Sequence, residues 1–179
     1  MEEPNEEIAG LSVLHHGLRC ADLLAVSDPG DPELQVAGLL HDVGHVLAPA
    51  CADVHGTVGA DAVRPVLGER VAALIEGHVP AKRYLVTVDP AYRGRLSAGS
   101  RRTLVGQGEA MSGAEVAAFS RAPHFEGAVR LRRADEQAKH PGAVTSPLSS
   151  WLPALNRLAT VTGGDTPGGP GTASLELRP

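Results

Sequence analysis

The pair His41-Asp42 carries the strongest chemical signal in the sequence, because it stands inside the apolar stretch Ala37-Gly-Leu-Leu-His-Asp-Val-Gly-His-Val-Leu47. Apolar residues at this spacing predict a helix, and two polar side chains buried within it are costly unless something pairs with them. A metal ion satisfies an imidazole and a carboxylate together. The pair therefore predicts a metal centre, whose chemistry depends on the further ligands that the chain supplies.

Four more residues with ligand side chains stand at or beside apolar stripes of other predicted helices: His16, His55, His78 and Asp135. Adjacent helical residues diverge by about 100°, yet an imidazole and its neighbouring carboxylate can reach one dinuclear site if the carboxylate bridges. Helices that each direct one His or Asp inward are typical of bundles that hold two metals. Two metal ions outweigh two carboxylates, so the pattern favours an anionic substrate.

Several of these residues also have a simpler interpretation. A single buried histidine is often only a hydrogen-bonded core residue, and His55 taken alone could simply open a helix. Asp135 could form an ordinary surface ion pair with Lys139, four residues later on the same predicted helix. The set of six indicates a metal centre more strongly than any one member does.

The composition limits the class of protein. A chain of 179 residues that is 42% apolar suffices for one domain with one core. The net charge of −5 and the lack of a basic segment interleaved with aromatics argue against a nucleic-acid partner. No apolar stretch approaches the roughly 20 residues of a membrane span, and two cysteines do not build a disulfide framework. We therefore expect a cytoplasmic protein that contacts no membrane.

Apolar residues recur at helical spacing through most of the chain, and no useful alternating pattern predicts a strand. The predicted helices span about residues 8–26, 33–47, 55–63, 65–78 and 124–139. Pro65 is placed in the first turn of its helix, where proline is tolerated. The fold class is therefore all-α, a bundle of about five core helices with additional short helices.

The connecting and terminal segments have their own signals. Residues 86–108 are rich in Gly, Arg and Ser and lack a clear period, which predicts a long functional loop with short helical pieces. Ser112-Gly-Ala-Glu115 is the pattern of a capping box. Residues 1–145 form the predicted domain, and residues 146–179, rich in Ser, Pro and Gly, are expected to be largely mobile.

Six short strings of the sequence together resemble a known family. They are His16-Gly-Leu-Arg, Leu39-Leu-His-Asp-Val-Gly-His, His55-Gly-Thr-Val-Gly-Ala, His78-Val-Pro-Ala-Lys-Arg-Tyr-Leu, Leu96-Ser-Ala-Gly-Ser-Arg-Arg-Thr-Leu and Leu131-Arg-Arg-Ala-Asp-Glu-Gln-Ala-Lys. Over residues 11–142 the chain resembles the HD-domain mixed-valent diiron oxygenases, above all their organophosphonate branch, with the myo-inositol oxygenases as more distant relatives. The His-Asp pair alone is widespread among phosphohydrolases, whereas the His78 and Leu131 strings are far more specific.

The resemblance implies an HD-domain helical bundle that holds two iron ions in a mixed Fe(II)/Fe(III) state and uses O2 as co-substrate. It also implies that Asp42 bridges the two ions. The ligands of one iron would be His16, His41, Asp42 and Asp135, and those of the other Asp42, His55 and His78.

Five further residues match family positions at or near the phosphonate: His45, Lys82, Ser100, Thr103 and Arg132. His45 and Lys82 are the candidate catalytic residues. Lys82 and Arg132 each stand about one helical turn from a predicted ligand, and a lysine point charge with an arginine fork suits a phosphonate. Lys82 could equally be a solvated cation at a helix end, and His45 could orient a ligand rather than contact substrate.

The activity that the resemblance implies is oxidative cleavage of the C–P bond of a small, anionic 1-hydroxyphosphonate, giving a carboxylic acid and inorganic phosphate. Two alternatives stay open: an HD-type metal-dependent phosphohydrolase acting on a nucleotide or phosphate ester, and a non-catalytic HD-like scaffold. The six-ligand set and the Lys82 string favour the dioxygenase, since a hydrolase normally needs only some of these ligands.

The segment before His16 departs from the family pattern. Relatives that act on aminoethyl substrates carry a Tyr and a Glu there, which receive the substrate and its ammonium group. Here no Tyr precedes His15, and Ala9 stands about where the Glu is expected. Glu6 or Glu7 could replace this Glu after a small shift of the chain. Alternatively, the substrate lacks an amine, as a shorter or differently substituted hydroxyphosphonate would.

Overall fold

The computed structural model describes residues 13–139 and 144–163, and all regular structure in these two ranges is helical, which confirms the all-α prediction. In chain order the elements are α1 (Val13–Ser27), α2 (Pro32–Leu40), α3 (Val43–Leu47), a 3-10 helix (Pro49–Val54), α4 (His55–Leu67), α5 (Glu69–Val88), α6 (Tyr92–Arg95), α7 (Ala98–Gly106), α8 (Gly113–Phe119), α9 (Phe125–Ala138) and α10 (Leu148–Gly163).

The long helix α5 lies at the centre and packs against α2, α4 and α9, while α1 closes the bundle by packing on α2 and α9. Leu74 and Ile75 of α5, Leu34 of α2 and Leu131 of α9 are fully buried in one apolar cluster. Burial of one such side chain contributes about 1.5–3 kcal/mol. The five core helices that the periodicity predicted are therefore α1, α2, α4, α5 and α9.

A close approach of α1 and α2 depends on Gly17. A Cβ atom at this position would collide with the carbonyl oxygen of Leu39. Because glycine lacks that atom, the backbones of the two helices come into direct contact, and His16 of α1 is brought beside the end of α2.

The structure corrects the predicted boundaries of three helices. The helix predicted over residues 33–47 is interrupted after Leu40, so that His41 and Asp42 lie in a turn between α2 and α3. The prediction that Pro65 opens a helix is wrong, because Pro65 lies inside α4, which ends at Leu67. The next residue, Gly68, caps the helix with a φ of 87°, which other residues rarely adopt. The next helix, α5, runs ten residues beyond the predicted end at residue 78.

The connecting segment matches its prediction more closely. The short helices α6 and α7 occupy most of the predicted loop, although α5 takes up its first residues. The capping box is present at α8, where Ser112 and Glu115 bond to each other's backbone N–H groups. Cys20 and Cys51 are both free thiols.

Within residues 146–179, the segment predicted to be largely mobile, Leu148–Gly163 form α10. Trp151 of this helix is buried with Leu18 and Leu39. The apolar residues of α10 recur at helical spacing, a pattern that the Ser- and Pro-rich composition obscured. Residues 164–179 lie outside the described residues, and within the described ranges no helix is both long and apolar enough to cross a bilayer.

Asp31 joins two core helices, and this contact gives a test of the fold. Its Oδ1 atom accepts a hydrogen bond from the backbone N–H of Leu34 and caps α2, while Arg70 at the start of α5 donates to its two carboxylate oxygens at 2.7 and 2.6 Å. The hydrogen bonds from Arg70 lower the pKa of Asp31. We predict that Asp31→Asn, which keeps a capping oxygen, lowers the midpoint of thermal unfolding less than Asp31→Ala, since a lost cap costs about 1 kcal/mol.

The same pair predicts a pH dependence. A carboxylate whose pKa is lower in the folded than in the unfolded protein stabilises the fold. This contribution is complete at a pH above the unfolded-state pKa of about 3.9, and it is lost as the pH falls through the folded-state pKa. The difference in unfolding midpoint between wild type and Asp31→Asn should therefore be largest near pH 7 and shrink below about pH 4. Equal midpoints for all three proteins at pH 7 would contradict the role of Asp31.

Candidate metal centre

The carboxylate of Asp42 lies between two groups of histidines. Its Oδ2 atom is 3.4 Å from Nε2 of His41 and 3.7 Å from Nε2 of His16, whereas its Oδ1 atom is 3.5 Å from Nε2 of His55 and 3.9 Å from Nε2 of His78. Each pair of histidines, taken together with Asp42, is close enough to hold one metal ion, so Asp42 is common to both candidate sites. One oxygen turned to each group is the arrangement of a bridging carboxylate.

Asp135 of α9 completes the cluster. Its Oδ1 atom lies 3.0 Å from Nε2 of His16 and 3.6 Å from Nε2 of His41, and the side chain is buried. The ion pair with Lys139 is also present, with the ammonium 3.1 Å from the same oxygen, but the Asp135 carboxylate is buried and the pair is not a surface one. All six residues predicted as ligands are thus brought together, from α1, the α2–α3 turn, α4, α5 and α9.

Backbone contacts set the orientation of three of the imidazole rings. The Nδ1 atoms of His41, His55 and His78 each donate to the carbonyl oxygen three residues earlier, at 2.8, 2.6 and 2.5 Å. Because a carbonyl oxygen only accepts hydrogen bonds, Nδ1 carries the proton in each neutral ring and Nε2 presents a lone pair to the cluster. This is the tautomer that a metal ion needs at Nε2.

The contacts among the Nε2 atoms fit a bound cation. Nε2 of His55 lies only 2.9 Å from Nε2 of His78, and two lone pairs at this distance repel unless a positive charge lies between them. Nε2 of His41 is completely buried and has no hydrogen-bond partner in the described part of the chain. Nitrogens bound about 2.1 Å from one ion, at right angles, would be about 3 Å apart. The donor set therefore fits a metal pair.

Burial and the two carboxylates divide the histidines into two electrostatic classes. Burial lowers the pKa of His55 to about 4 and holds that of His78 well below its usual value, so both rings are neutral near pH 7. Burial also acts to lower the pKa of His41, but Asp42 and Asp135 outweigh it and raise this pKa to about 9. The carboxylates therefore demand a compensating positive charge, which a metal ion supplies.

Gly44 allows the two histidine groups to meet, and the prediction from sequence did not include it. A Cβ atom at Gly44 would collide with the carbonyl oxygen of His55, so only glycine lets α3 approach the start of α4 this closely. An isolated glycine inside a predicted apolar helix, two residues after Asp42, is the signal that could have identified it.

Lys82 lies one helical turn beyond His78 on α5, and its side chain is only 4% exposed. Its ammonium donates to Oγ1 of Thr103 at 2.8 Å. Burial, together with the cations Arg132 and Lys139, lowers the pKa of Lys82 to about 7. The alternative of a solvated lysine at a helix end is therefore wrong, and the lysine forms part of a buried polar group beside the predicted metal ligands.

Arg132 is fully engaged with its neighbours. Its Nε atom donates to the Tyr92 hydroxyl at 2.7 Å, one terminal nitrogen pairs with Asp135, and the other pairs with Glu136 and lies 3.2 Å from Oγ of Ser100. The sequence prediction named Ser100 and Arg132 but missed Tyr92 and Glu136. The spacing of four residues from Arg132 to Glu136 was the available signal for the latter.

His45 is only partly buried, with 19% of its side chain exposed. Its ring stacks on that of His55, with centroids 4.0 Å apart and planes inclined by 14°, and its Nε2 atom is 4.0 Å from Oδ1 of Asp42. The ring thus lies at the edge of the ligand cluster, where it can meet a ligand or a substrate.

Comparisons with known proteins identify the family of this chain. Residues 11–107 match the model of the HD domain. Over 147 residues the chain is 37% identical to the hydroxymethylphosphonate dioxygenase of Gimesia maris, covering 77% of this chain and 73% of that protein. This chain belongs to the phosphonate dioxygenase branch of the HD-domain family.

Two further relatives extend the comparison. The chain is 30% identical over 165 residues to the [1-hydroxy-2-(trimethylamino)ethyl]phosphonate dioxygenase (glycine-betaine-forming) of Leisingera caerulea, covering 86% of this chain and 83% of that protein. It is 32% identical over 148 residues to an uncharacterised protein of Acanthamoeba polyphaga mimivirus, covering 77% and 67%. The HD-domain match includes five of the six predicted ligands, and Asp135 joins them from α9, beyond the matched range.

The shared position of Asp42 predicts how iron loading responds to substitution. We expect wild-type protein loaded anaerobically with Fe(II) to bind about two ions per chain, His78→Ala to bind about one, and Asp42→Ala to bind none, because a bridging carboxylate serves both ions. Iron content after gel filtration, with circular dichroism to verify folding, measures this.

A matched control is His124→Asn, since His124 is exposed and has a φ of 65° that asparagine tolerates. This variant should bind as much iron as the wild type. Two ions retained by folded Asp42→Ala would refute the bridging arrangement.

Proposed function

We propose that this protein is a non-haem iron-dependent dioxygenase that cleaves the C–P bond of a small 1-hydroxyphosphonate, giving a carboxylic acid and inorganic phosphate. The observation that carries the proposal is the carboxylate of Asp42, which turns one oxygen to each of two histidine groups. The names of two relatives, both phosphonate dioxygenases, support the reaction class. We further propose that the metals are two irons in a mixed Fe(II)/Fe(III) state, with O2 as co-substrate.

In this proposal the residues that bind the irons are His16, His41, Asp42, His55, His78 and Asp135. Two irons held by these residues would supply the chemistry of O2 activation. The chain fixes the direction of the ligand nitrogens through the backbone contacts of their Nδ1 atoms. It thereby keeps the ligand arrangement rigid while substrate and product exchange.

The cations beside the ligands suit the charge of a phosphonate. Lys82 and Arg132 are buried, and Lys139 is partly buried with its ammonium 2.7 Å from Oγ of Ser100. Ser100 and Thr103 add hydroxyl groups on one face of α7. An anion next to Lys82 favours its charged form, which strengthens the hydrogen bonds to phosphonate oxygens.

The protein also restricts access of water. His41, His78, Lys82 and Asp135 are each at most 4% exposed. Exclusion of water protects a reactive intermediate from side reactions and strengthens the electrostatic contacts around it. We propose that His45, whose side chain is 19% exposed, accepts and returns a proton at its Nε2 atom when the substrate hydroxyl binds.

Hydroxymethylphosphonate is the first substrate to examine. The sequence before His16 lacks the Tyr and Glu expected for an ammonium group, and those positions lie outside the described residues. The relative named for hydroxymethylphosphonate is more similar to this chain, at 37% identity, than the one named for a trimethylamino substrate, at 30%. The proposed reaction is balanced: hydroxymethylphosphonate and O2 give formate and phosphate, with one atom of O2 entering each product.

The decisive experiment is turnover by anaerobically iron-loaded protein. With hydroxymethylphosphonate we expect O2 uptake, formate and phosphate in equal amounts, no product without O2, and ¹⁸O from ¹⁸O2 in both products. Electron paramagnetic resonance should show a mixed-valent signal that the substrate alters. Phosphate release from phosphate esters without O2 uptake would instead identify a phosphohydrolase.

Substitution of Lys82 tests whether this lysine binds the phosphonate group. We predict that Lys82→Met raises KM for the phosphonate at least about tenfold, the effect of losing one charged hydrogen bond, with iron content unchanged. Steady-state kinetics on iron-matched samples measures this. Arg93→Gln, which removes an exposed cation of α6, serves as the control and should leave KM unchanged. A wild-type KM in the folded Lys82→Met protein would exclude this lysine from substrate binding.

A further inference from the structure

Glu136 lies where α7 meets α9, and neither the sequence prediction nor the comparisons assign it a role. Its Oε1 atom accepts a hydrogen bond from the backbone N–H of Ser97 at 2.7 Å. Its Oε2 atom accepts from Oγ of Ser100 at 3.1 Å and from a terminal nitrogen of Arg132. The side chain is 12% exposed, so this carboxylate is held by protein groups rather than by solvent.

The contact with Oε2 fixes the direction of the Ser100 hydroxyl. A serine hydroxyl has one proton to donate and two lone pairs to accept with. Ser100 donates to Glu136 and is contacted by Arg132 at 3.2 Å and Lys139 at 2.7 Å. Because the carboxylate takes the proton, the lone pairs of the Ser100 oxygen face the two cations, and Arg132 and Lys139 are both ordered around this oxygen.

The contact with Oε1 fixes the start of α7. Ser97 is the N-cap of this helix, and its side chain accepts a hydrogen bond from the backbone N–H of Ser100 at 3.2 Å. The backbone N–H of Ser97 is itself held by Glu136 of α9. The helix that carries Ser100 and Thr103 is therefore anchored to the helix that carries Arg132.

We propose that Glu136 is a positioning residue, which sets the phosphonate-binding groups of α7 and α9 in their working geometry. The identity of the anion rests on the function proposed above, whereas the anchoring contacts do not. Preorganised donors bind an anion more tightly because their ordering cost is met before binding.

Two variants separate the two contacts of the carboxylate. Glu136→Gln keeps an oxygen for the N–H of Ser97 but turns an amide NH2 toward Ser100 and Arg132, so that donors face donors. Glu136→Ala removes both contacts. We expect Glu136→Gln to raise KM for hydroxymethylphosphonate about tenfold, with kcat within about twofold and iron content unchanged. In Glu136→Ala we expect, in addition, faster hydrogen exchange of the amides in residues 97–106.

Glu126→Gln is the matched control, because Glu126 is an exposed carboxylate on the same helix. It should leave KM and hydrogen exchange at wild-type values. An unchanged KM in Glu136→Gln would overturn the proposal and reduce the residue to a structural contact. A lowered KM would also overturn the proposal, since Glu136 would then compete with substrate for the donors. Loss of iron in Glu136→Gln would overturn it too, because the substitution would then act through the neighbouring Asp135.

Binding of inorganic phosphate keeps this inference separate from the proposed reaction. If the iron-loaded wild-type protein turns over no hydroxyphosphonate, calorimetric titration with phosphate still measures the affinity of the site for an anion. A dissociation constant about tenfold weaker in Glu136→Gln than in wild type and Glu126→Gln would support the positioning role even though the proposed function had failed. Equal dissociation constants in all three proteins would overturn it.

Discussion

The division of the Asp42 carboxylate between two groups of histidines is the contact on which the remaining site depends. In the structure Asp42 lies in the turn between α2 and α3, after the first of these helices ends at Leu40. Gly44 lets the chain that follows this turn lie against the start of α4. Backbone geometry thus decides how two predicted ligand sets come to share one residue.

The charged residues of α9 beside this site are balanced by one another rather than by solvent. Along α9, the carboxylates of Asp135 and Glu136 stand between the cations of Arg132 and Lys139, and each cation contacts both carboxylates. Removing one partner of a buried ion pair typically costs about 3–5 kcal/mol, because the other charge is left without compensation. The helix that supplies the predicted ligand Asp135 therefore also supplies the groups that hold this carboxylate and the neighbouring hydroxyl of Ser100.

Much of the fold followed from local patterns. Apolar spacing predicted the five core helices, and the capping box at Ser112 was visible as four residues of sequence. The failures have local causes too. Pro65 was taken as a helix start because proline suits a first turn, yet it stands near the end of α4, where its missing N–H removes one hydrogen bond to the carbonyl four residues earlier. The composition around α10 concealed an apolar stripe that packs Trp151 on the core.

The sequence by itself determined which residue types could bind metal and which cations share a helical face with them. It did so because spacing along one helix fixes relative direction, as for Lys82 after His78 and Arg132 before Asp135. Only the tertiary structure decided which oxygen of Asp42 meets which histidines, and that Glu136 holds Ser100, 36 residues away in sequence. Contacts between separate elements leave no period in the sequence, since they arise from the packing of whole helices against one another.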